Sequence, residues 1–192
     1  MEKKEQGNYG LIEEISSIPG GEKIKLCIQC GTCSASCPNA NKMDYAPRQL
    51  IAMARAGMRK EVLSSKSQWL CLSCYLCTVR CPRGIKPTEL MHALECISMR
   101  HNMSSKKTNT PKMYRLFSNL ARDIGNVPEM GLMMRYYFAT NPFNSLKLIP
   151  EALSLLTHGR LSPKTHRMKP EAKAQFKAIL DKAETISGRE GK

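Results

Sequence analysis

The chain has 192 residues, with 30 Lys and Arg against 16 Asp and Glu, a formal charge of +14. That length allows one domain, or one small domain with an extension. The polar start "MEKKEQGNYG" predicts no secretory signal, and no run approaches the roughly 20 apolar residues of a membrane helix, so a soluble cytoplasmic protein with reduced thiols is expected.

Residues 1–26 read as an N-terminal arm, with at most a short helix near "YGLIEEIS". Residues 27–101 hold all nine cysteines. Residues 102–110, "NMSSKKTNT", are polar, lack apolar periodicity and read as a linker. Residues 111–192 are cysteine-free, rich in Met and Leu, and helical by pattern, an extension suited to docking a partner. The basic excess is uneven: residues 1–100 carry 14 basic and 9 acidic groups, while residues 101–192 carry 16 and 7. Such a surface fits nucleic acid or an acidic protein. No basic stripe interleaved with aromatics supports the nucleic-acid reading, so no nucleic-acid partner is expected.

The cysteine segment repeats itself. "CIQCGTCSASCP" from Cys27 and "CLSCYLCTVRCP" from Cys71 share the spacing C-x2-C-x2-C-x3-C-P at an offset of 44. Each copy is followed by a proline-started helix, one from Pro47 and one from Pro87, because proline suits the first helical turn. Leu50, Ile51 and Ala54 share a face of the first helix, and Gly57 can end it. Leu90, Leu94 and Ile97 share a face of the second. No alternating strand separates the copies, so helices and loops are expected around them.

Three cysteines at steps of three suit a loop wrapping one face of an iron–sulfur cube. The fourth, before proline, leaves that loop, and in two-cluster ferredoxins it ligates the other cluster. The expected assignment is therefore crossed: Cys27, Cys30, Cys33 and Cys81 hold cluster 1, while Cys71, Cys74, Cys77 and Cys37 hold cluster 2. Zinc usually takes two C-x2-C pairs separated by a longer loop, which this spacing does not offer. Disulfides conflict with a reducing compartment. Two [4Fe–4S] clusters fit best, and at about −2 each they bring the formal charge to about +10.

The two loops differ in lining. The first holds Gly31, Thr32, Ser34, Ala35 and Ser36; Gly31 lets the backbone approach the cube, and amides and hydroxyls can bond to sulfur and favour the reduced state. The second holds Leu72, Tyr75, Leu76 and Val79, after Trp69 and Leu70, and an apolar wall disfavours added negative charge. Cluster 2 is expected to have the lower potential; plain packing is the competing account of these residues.

Cys96 reads as a small buried hydrophobe, with a redox thiol or an extra ligand as the alternatives. His92, His101, His158 and His166 lack ligand spacing and read as surface or packing residues. Of twelve methionines, Met91, Met99 and Met103 fall near the second helix and Met130, Met133 and Met134 cluster later; core packing competes with an adaptable contact surface. Arg80 and Arg83 flank Cys81, where they can balance cluster charge, meet an acidic partner or stand as a solvated face. No phosphate loop, Ser/His/Asp set or dinucleotide fingerprint is present, so no catalytic residues are expected. Eight cysteines in use leave no open iron for substrate, which argues for electron transfer.

The stretches "CIQCGTCSASCPNANKMDYAPRQLIAMARAGM" and "WLCLSCYLCTVRCPRGIKPTELMHALE" resemble the C subunit of heterodisulfide reductase. So does "RYYFATNPFNSLKLIPEALSLLTHGRLSP", and the resemblance covers roughly residues 20–165. The cysteine frame alone is shared with iron–sulfur subunits of succinate dehydrogenase and of glycolate or glycerol-3-phosphate oxidation; "MDYAPRQLIAM" and "CLSCYLCTVRCPRG" narrow it. The resemblance implies a mainly α fold, an α-helical ferredoxin domain with a helical C-terminal extension. It implies a relay from a flavin-containing A subunit to a B subunit with noncubane clusters. There the mixed disulfide of coenzyme M and coenzyme B, a couple of methanogenesis, is reduced. Hydrogenase or formate dehydrogenase modules are further partners it allows. It carries over the eight cysteines already named, with none missing. A sulfur-oxidising relative, or a quinone-linked or hydroxyacid-oxidising complex, could use the same module.

Overall fold

The computed structural model describes residues 10–125, 127–141, 149–160 and 168–186. Residues 1–9 of the expected arm, tail segments 142–148 and 161–167, and His166 lie outside them. Two units divide the chain, Met1–Pro111 and Lys112–Lys192. The described residues form helices, turns and loops, with no strand among them.

The first unit is built on helices joined by the two cysteine loops. In order these are α1 (Gly10–Ser16), α2 (Thr32–Ala35), α3 (Pro47–Arg55), α4 (Arg59–Ser64), α5 (Leu76–Val79) and α6 (Pro87–Arg100). Short 3-10 turns at Glu22–Leu26, Ala40–Lys42 and Gln68–Leu70 connect them. Both proline-started helices stand where the spacing predicts, with proline in the first turn. Gln49 Oε1 accepts the Ala46 N–H at 3.0 Å and closes the start of α3, since Ala46 has no capping oxygen of its own. Gly57, with φ 75°, follows α3 in the left-handed conformation that ends helices.

The core gathers the predicted faces. Leu50, Ile51 and Ala54 of α3 meet Leu90, Met91, Leu94 and Ile97 of α6, with Val62 and Leu63 of α4. Leu11, Ile15 and Ile24 complete the same cluster. Residues 10–26 are thus core of this unit, although their sequence reads as an arm. The run is too short to show a full helical period, and its apolar residues find partners only through folding. The turn that returns the chain depends on Gly21, where a Cβ would overlap the Ile15 carbonyl oxygen.

Polar ties lock the elements in register. Glu14 of α1 receives Arg59 at 2.8 Å, His101 at 3.1 Å and Arg100 at 3.6 Å, joining α1 to α4 and the end of α6. The Leu63 carbonyl accepts from Ser98 Oγ at 2.8 Å and from fully buried Gln68 at 3.1 Å. These bonds satisfy polar groups that would otherwise be costly to bury. Asp44 accepts the Lys66 N–H at 3.0 Å and pairs with Lys107 at 3.5 Å, so the polar stretch after α6 is tied to this unit.

The second unit is helical throughout its described elements: α7 (Thr110–Ile124), whose first turn lies before the division, α8 (Glu129–Thr140), α9 (Ile149–Thr157) and α10 (Pro170–Ile186). Gly125, with φ 82°, ends α7, and Met168 packs directly on it. Among the described residues of this unit only Leu120 and Leu132 are buried apolar side chains. Met133, Met134, Phe138 and Leu153 are exposed. Met133 and Met134 of the α8 cluster are therefore surface, as an adaptable contact face would be, while Met130 is half-buried. No described helix is long and apolar enough to cross a membrane.

Candidate metal centre

The cysteine loops repeat in backbone as well as in spacing. Gln29 and Gly31 have positive φ in the first loop, at 58° and 86°. Ser73 and Tyr75 do in the second, at 50° and 60°, and both pairs are related by the same offset of 44 residues. Gly31 and Tyr75 each stand immediately before a four-residue helix, α2 or α5. A left-handed residue followed by a right-handed one turns successive N–H groups to one side and forms an anion-binding concavity of the kind found at many iron–sulfur sites.

Each loop opens onto a hollow, and the two hollows are of matched size, about 360 and about 380 Å3 with open solvent included. The first brings together Cys27, Cys30 and Cys33 of one loop with Cys81 of the other. The second brings together Cys71, Cys74 and Cys77 with Cys37. Further ties cross between the halves. Asn39 Nδ2 donates to the Leu70 carbonyl at 2.9 Å, the Tyr45 N–H to Ser67 Oγ at 2.9 Å, and Arg80 to Ser36 Oγ at 3.4 Å.

Among the described residues, no three His, Cys, Asp or Glu side chains converge as ligands of a single ion. A lone zinc draws its four ligands to one point at about 2.3 Å from sulfur. A cube is held at its corners, so its cysteines stand apart around a hollow. Four thiols drawn from two loops, with a concavity of N–H groups beside them, fit a [4Fe–4S] group in each hollow.

The free thiols register the crowding. Burial, then the Cys27 charge, pushes the Cys33 thiol up to about 11, and the charges of Cys77 and Cys30 add to it. Burial likewise raises Cys71, with the Cys77, Glu95 and Cys37 charges adding to it. Exposed Cys30 is instead lowered by hydrogen bonds from Thr32. Several thiolates can share one hollow only with a cationic group among them, which inverts these shifts.

A family model for a 4Fe-4S dicluster domain matches residues 23–85. The C2 subunit of the H(2)/formate:CoB-CoM heterodisulfide,ferredoxin reductase of Methanococcus maripaludis is 35% identical over 123 residues, 60% of this chain and 63% of that protein. The C subunit of the H(2):CoB-CoM heterodisulfide,ferredoxin reductase of Methanothermobacter thermautotrophicus is 40% identical over 72 residues, 38% of this chain and 39% of that one. The chain carries a 4Fe-4S dicluster domain and is similar to the C subunits of heterodisulfide reductases. A third relative, the C subunit of the ferredoxin:CoB-CoM heterodisulfide reductase of Methanosarcina acetivorans, is 40% identical over 93 residues, 47% of this chain and 37% of its own length. The chain spans less than two thirds of the length of each of these relatives. The dicluster domain takes two [4Fe–4S] clusters, which supply one-electron carriers when bound.

Other sequence expectations meet mixed outcomes. Tyr75, Leu76 and Val79 (82% exposed) do not pack inward, and Leu72, though 63% exposed, lines the second hollow with the exposed Cys74. Their loop is held by its own turns, which aim Tyr75, Leu76 and Val79 outward. Cys96 is exposed, not buried, because α6 turns it away from the face of Leu94 and Ile97. His92 bonds Ser73 Oγ at 3.1 Å and Glu95 at 3.5 Å, while His101 meets Glu14. His158 bonds the Ser154 carbonyl of its own helix at 2.7 Å. Met91 lines the second hollow from the core side.

Sequence reasoning missed Arg48, which lines the first hollow with Arg83. It also missed Arg55, which donates to the Cys27 carbonyl, and Thr88, whose hydroxyl lies 3.4 Å from Cys77 Sγ. All three sit on the helices that follow the cysteine loops, Thr88 at 11 residues from its partner and Arg55 at 28. The only local signal was their place beside the helix-starting prolines or on the same helix.

Proposed function

We propose that this chain is the electron-relay subunit of a heterodisulfide reductase-type complex. It passes electrons through two clusters from a flavin-containing A-type subunit to a B-type subunit that reduces the coenzyme M–coenzyme B heterodisulfide. Its ligands are Cys27, Cys30, Cys33 and Cys81 at cluster 1 and Cys71, Cys74, Cys77 and Cys37 at cluster 2. The observation that carries this reading is the exchange of one cysteine between the two hollows. Each half is incomplete alone, so neighbouring carriers are held by one fold.

The chain's own residues contribute position and access. The core of α3 and α6 backs both hollows, since Cys27, Cys33 and Cys71 pack against it. Cys30 and Cys74 stand exposed, giving each cluster an edge that a partner can approach. The apolar residues around Cys74 and the methionines of α8 are surfaces a partner can cover. With every cysteine of the two motifs engaged, the chain offers no open coordination position, and the disulfide chemistry belongs to the partner.

Anaerobic capture of the native complex through this chain tests the proposal. A- and B-type subunits should copurify, and reduced clusters should be reoxidised by the heterodisulfide only when the B-type subunit is present. Capture of a quinone-linked or hydroxyacid dehydrogenase in their place would overturn it.

A further inference from the structure

The two hollows share a backbone but differ in charge. Arg48 and Arg83 line the first. Arg55 adds a third guanidinium on the carbonyl of Cys27. Among the described residues, no charged side chain lines the second hollow. Beside its loop Glu95 pairs with His92 at 3.5 Å, and His92 bonds Ser73 Oγ, between Cys71 and Cys74, at 3.1 Å.

Hydrogen bonds to sulfur are uneven in the same sense. In the first hollow Gln29 Nε2 donates to Cys27 Sγ at 3.4 Å. Thr32 Oγ1 lies 3.4 Å from Cys30 Sγ and, against a bound thiolate, can only donate. In the second hollow the described side-chain counterpart is Thr88 Oγ1 alone, at 3.4 Å from Cys77 Sγ, with Thr78 Oγ1 donating to the same hydroxyl oxygen at 3.2 Å.

We propose that Arg48 and Arg83 are positioning residues that set the order of electron flow, making the Cys27-side cluster the stronger acceptor. This rests on the two-cluster relay proposed above. One-electron reduction adds a unit negative charge to a site that already carries about −2. Cations and donors stabilise that added charge, and the first hollow holds more of both. In the internal step one electron leaves the Cys71-side site, which is oxidised, and arrives at the Cys27-side site, which is reduced; no proton moves. The donor partner then belongs at the apolar edge around Cys74, and the acceptor partner at the basic edge around Cys30.

The test is a potentiometric titration of the full-length chain loaded with both clusters, followed by visible and electron paramagnetic resonance spectra. Two midpoints are expected, favouring electron residence on one site by roughly tenfold or more, about 59 mV for a one-electron couple. Arg48→Gln and Arg83→Gln should each lower the higher midpoint and leave the lower one in place. Arg48→Lys should restore it, since only the charge is required. Thr88→Val should lower the lower midpoint alone. A single midpoint, or arginine variants that move the lower wave or neither wave, would overturn the proposal. Iron analysis separates the two failures. Well under about eight irons per chain sinks the two-cluster relay, whereas a full complement with the wrong order sinks only the assignment of direction.

Discussion

The loop from Cys27 and the loop from Cys71 turn at equivalent places, yet the side chains around them are of different chemistry. Gly31 occupies a left-handed position in one copy, and Tyr75 occupies the equivalent position in the other. Guanidiniums face the first hollow, while the second is lined by Cys, Pro, Leu, Met, Asn and Thr. The comparison separates two demands. Holding a cube sets the backbone, because thiols at steps of three must all reach one centre. Setting its potential falls to the neighbours, which are free to diverge.

The largest test of this comparison breaks one copy through the other. Cys37→Ser should remove the cluster bound by Cys71, Cys74 and Cys77 and spare the first, lowering iron from about eight to about four per chain. Cys81→Ser should do the reverse, and the lost spectral component should differ between them. Loss of the first cluster in Cys37→Ser would show that each loop holds its own cube.

Gly21→Ala tests the frame that both copies share. It should destabilise the unit by about 2 kcal/mol or more, because the added Cβ has no room beside the Ile15 carbonyl. Its thermal midpoint should fall with no change in the spacing of the two redox midpoints.

The equivalent left-handed positions give a smaller, paired effect. Gly31→Ala should cost about 1 kcal/mol through φ alone, since the nearest atom to a new Cβ is Arg48 Cδ at 3.7 Å. Tyr75→Gly should relieve a strain of about 1 kcal/mol at a residue with φ 60°. Denaturation of both variants, loaded alike, should give shifts of opposite sign; equal signs would mean that the tyrosine side chain outweighs its backbone.

The smallest effect touches both halves alike. Burial pushes Glu14 up, but hydrogen bonds from Arg59 and His101 and their charges outweigh it and hold the carboxyl below its ordinary value of 4.5. Its stabilisation is therefore full above that pH and lost as pH falls through the lowered folded value. Glu14→Gln should cost about 1 kcal/mol at neutral pH and flatten the fall in thermal midpoint as pH drops below about 4.5.

Much of this was readable before folding. Pro47 and Pro87 mark the helix starts, and Leu50, Ile51, Leu90, Leu94 and Ile97 declare the buried faces, because helical period and proline geometry are local properties. The segment 10–26 was not readable as core, since Leu11, Ile15 and Ile24 are too few to show a period. Nor were the outward aim of Val79 and the exposure of Cys96, which depend on the turn of a loop and the rotation of a helix against its neighbours.

By itself the sequence determined the two cysteine motifs, their offset and the helices behind them, since spacing along a chain is enough to specify a repeated ligand loop. The place of each fourth cysteine before proline already leads to the expectation that Cys81 joins Cys27 and Cys37 joins Cys71, and folding brings each pair to one hollow. Only the tertiary structure decided that Arg48 and Arg83 stand over one site while Glu95 with His92 stands near the other. Charge acts through space at a few ångströms, and no order of residues along a chain states which distant helices will bring it there.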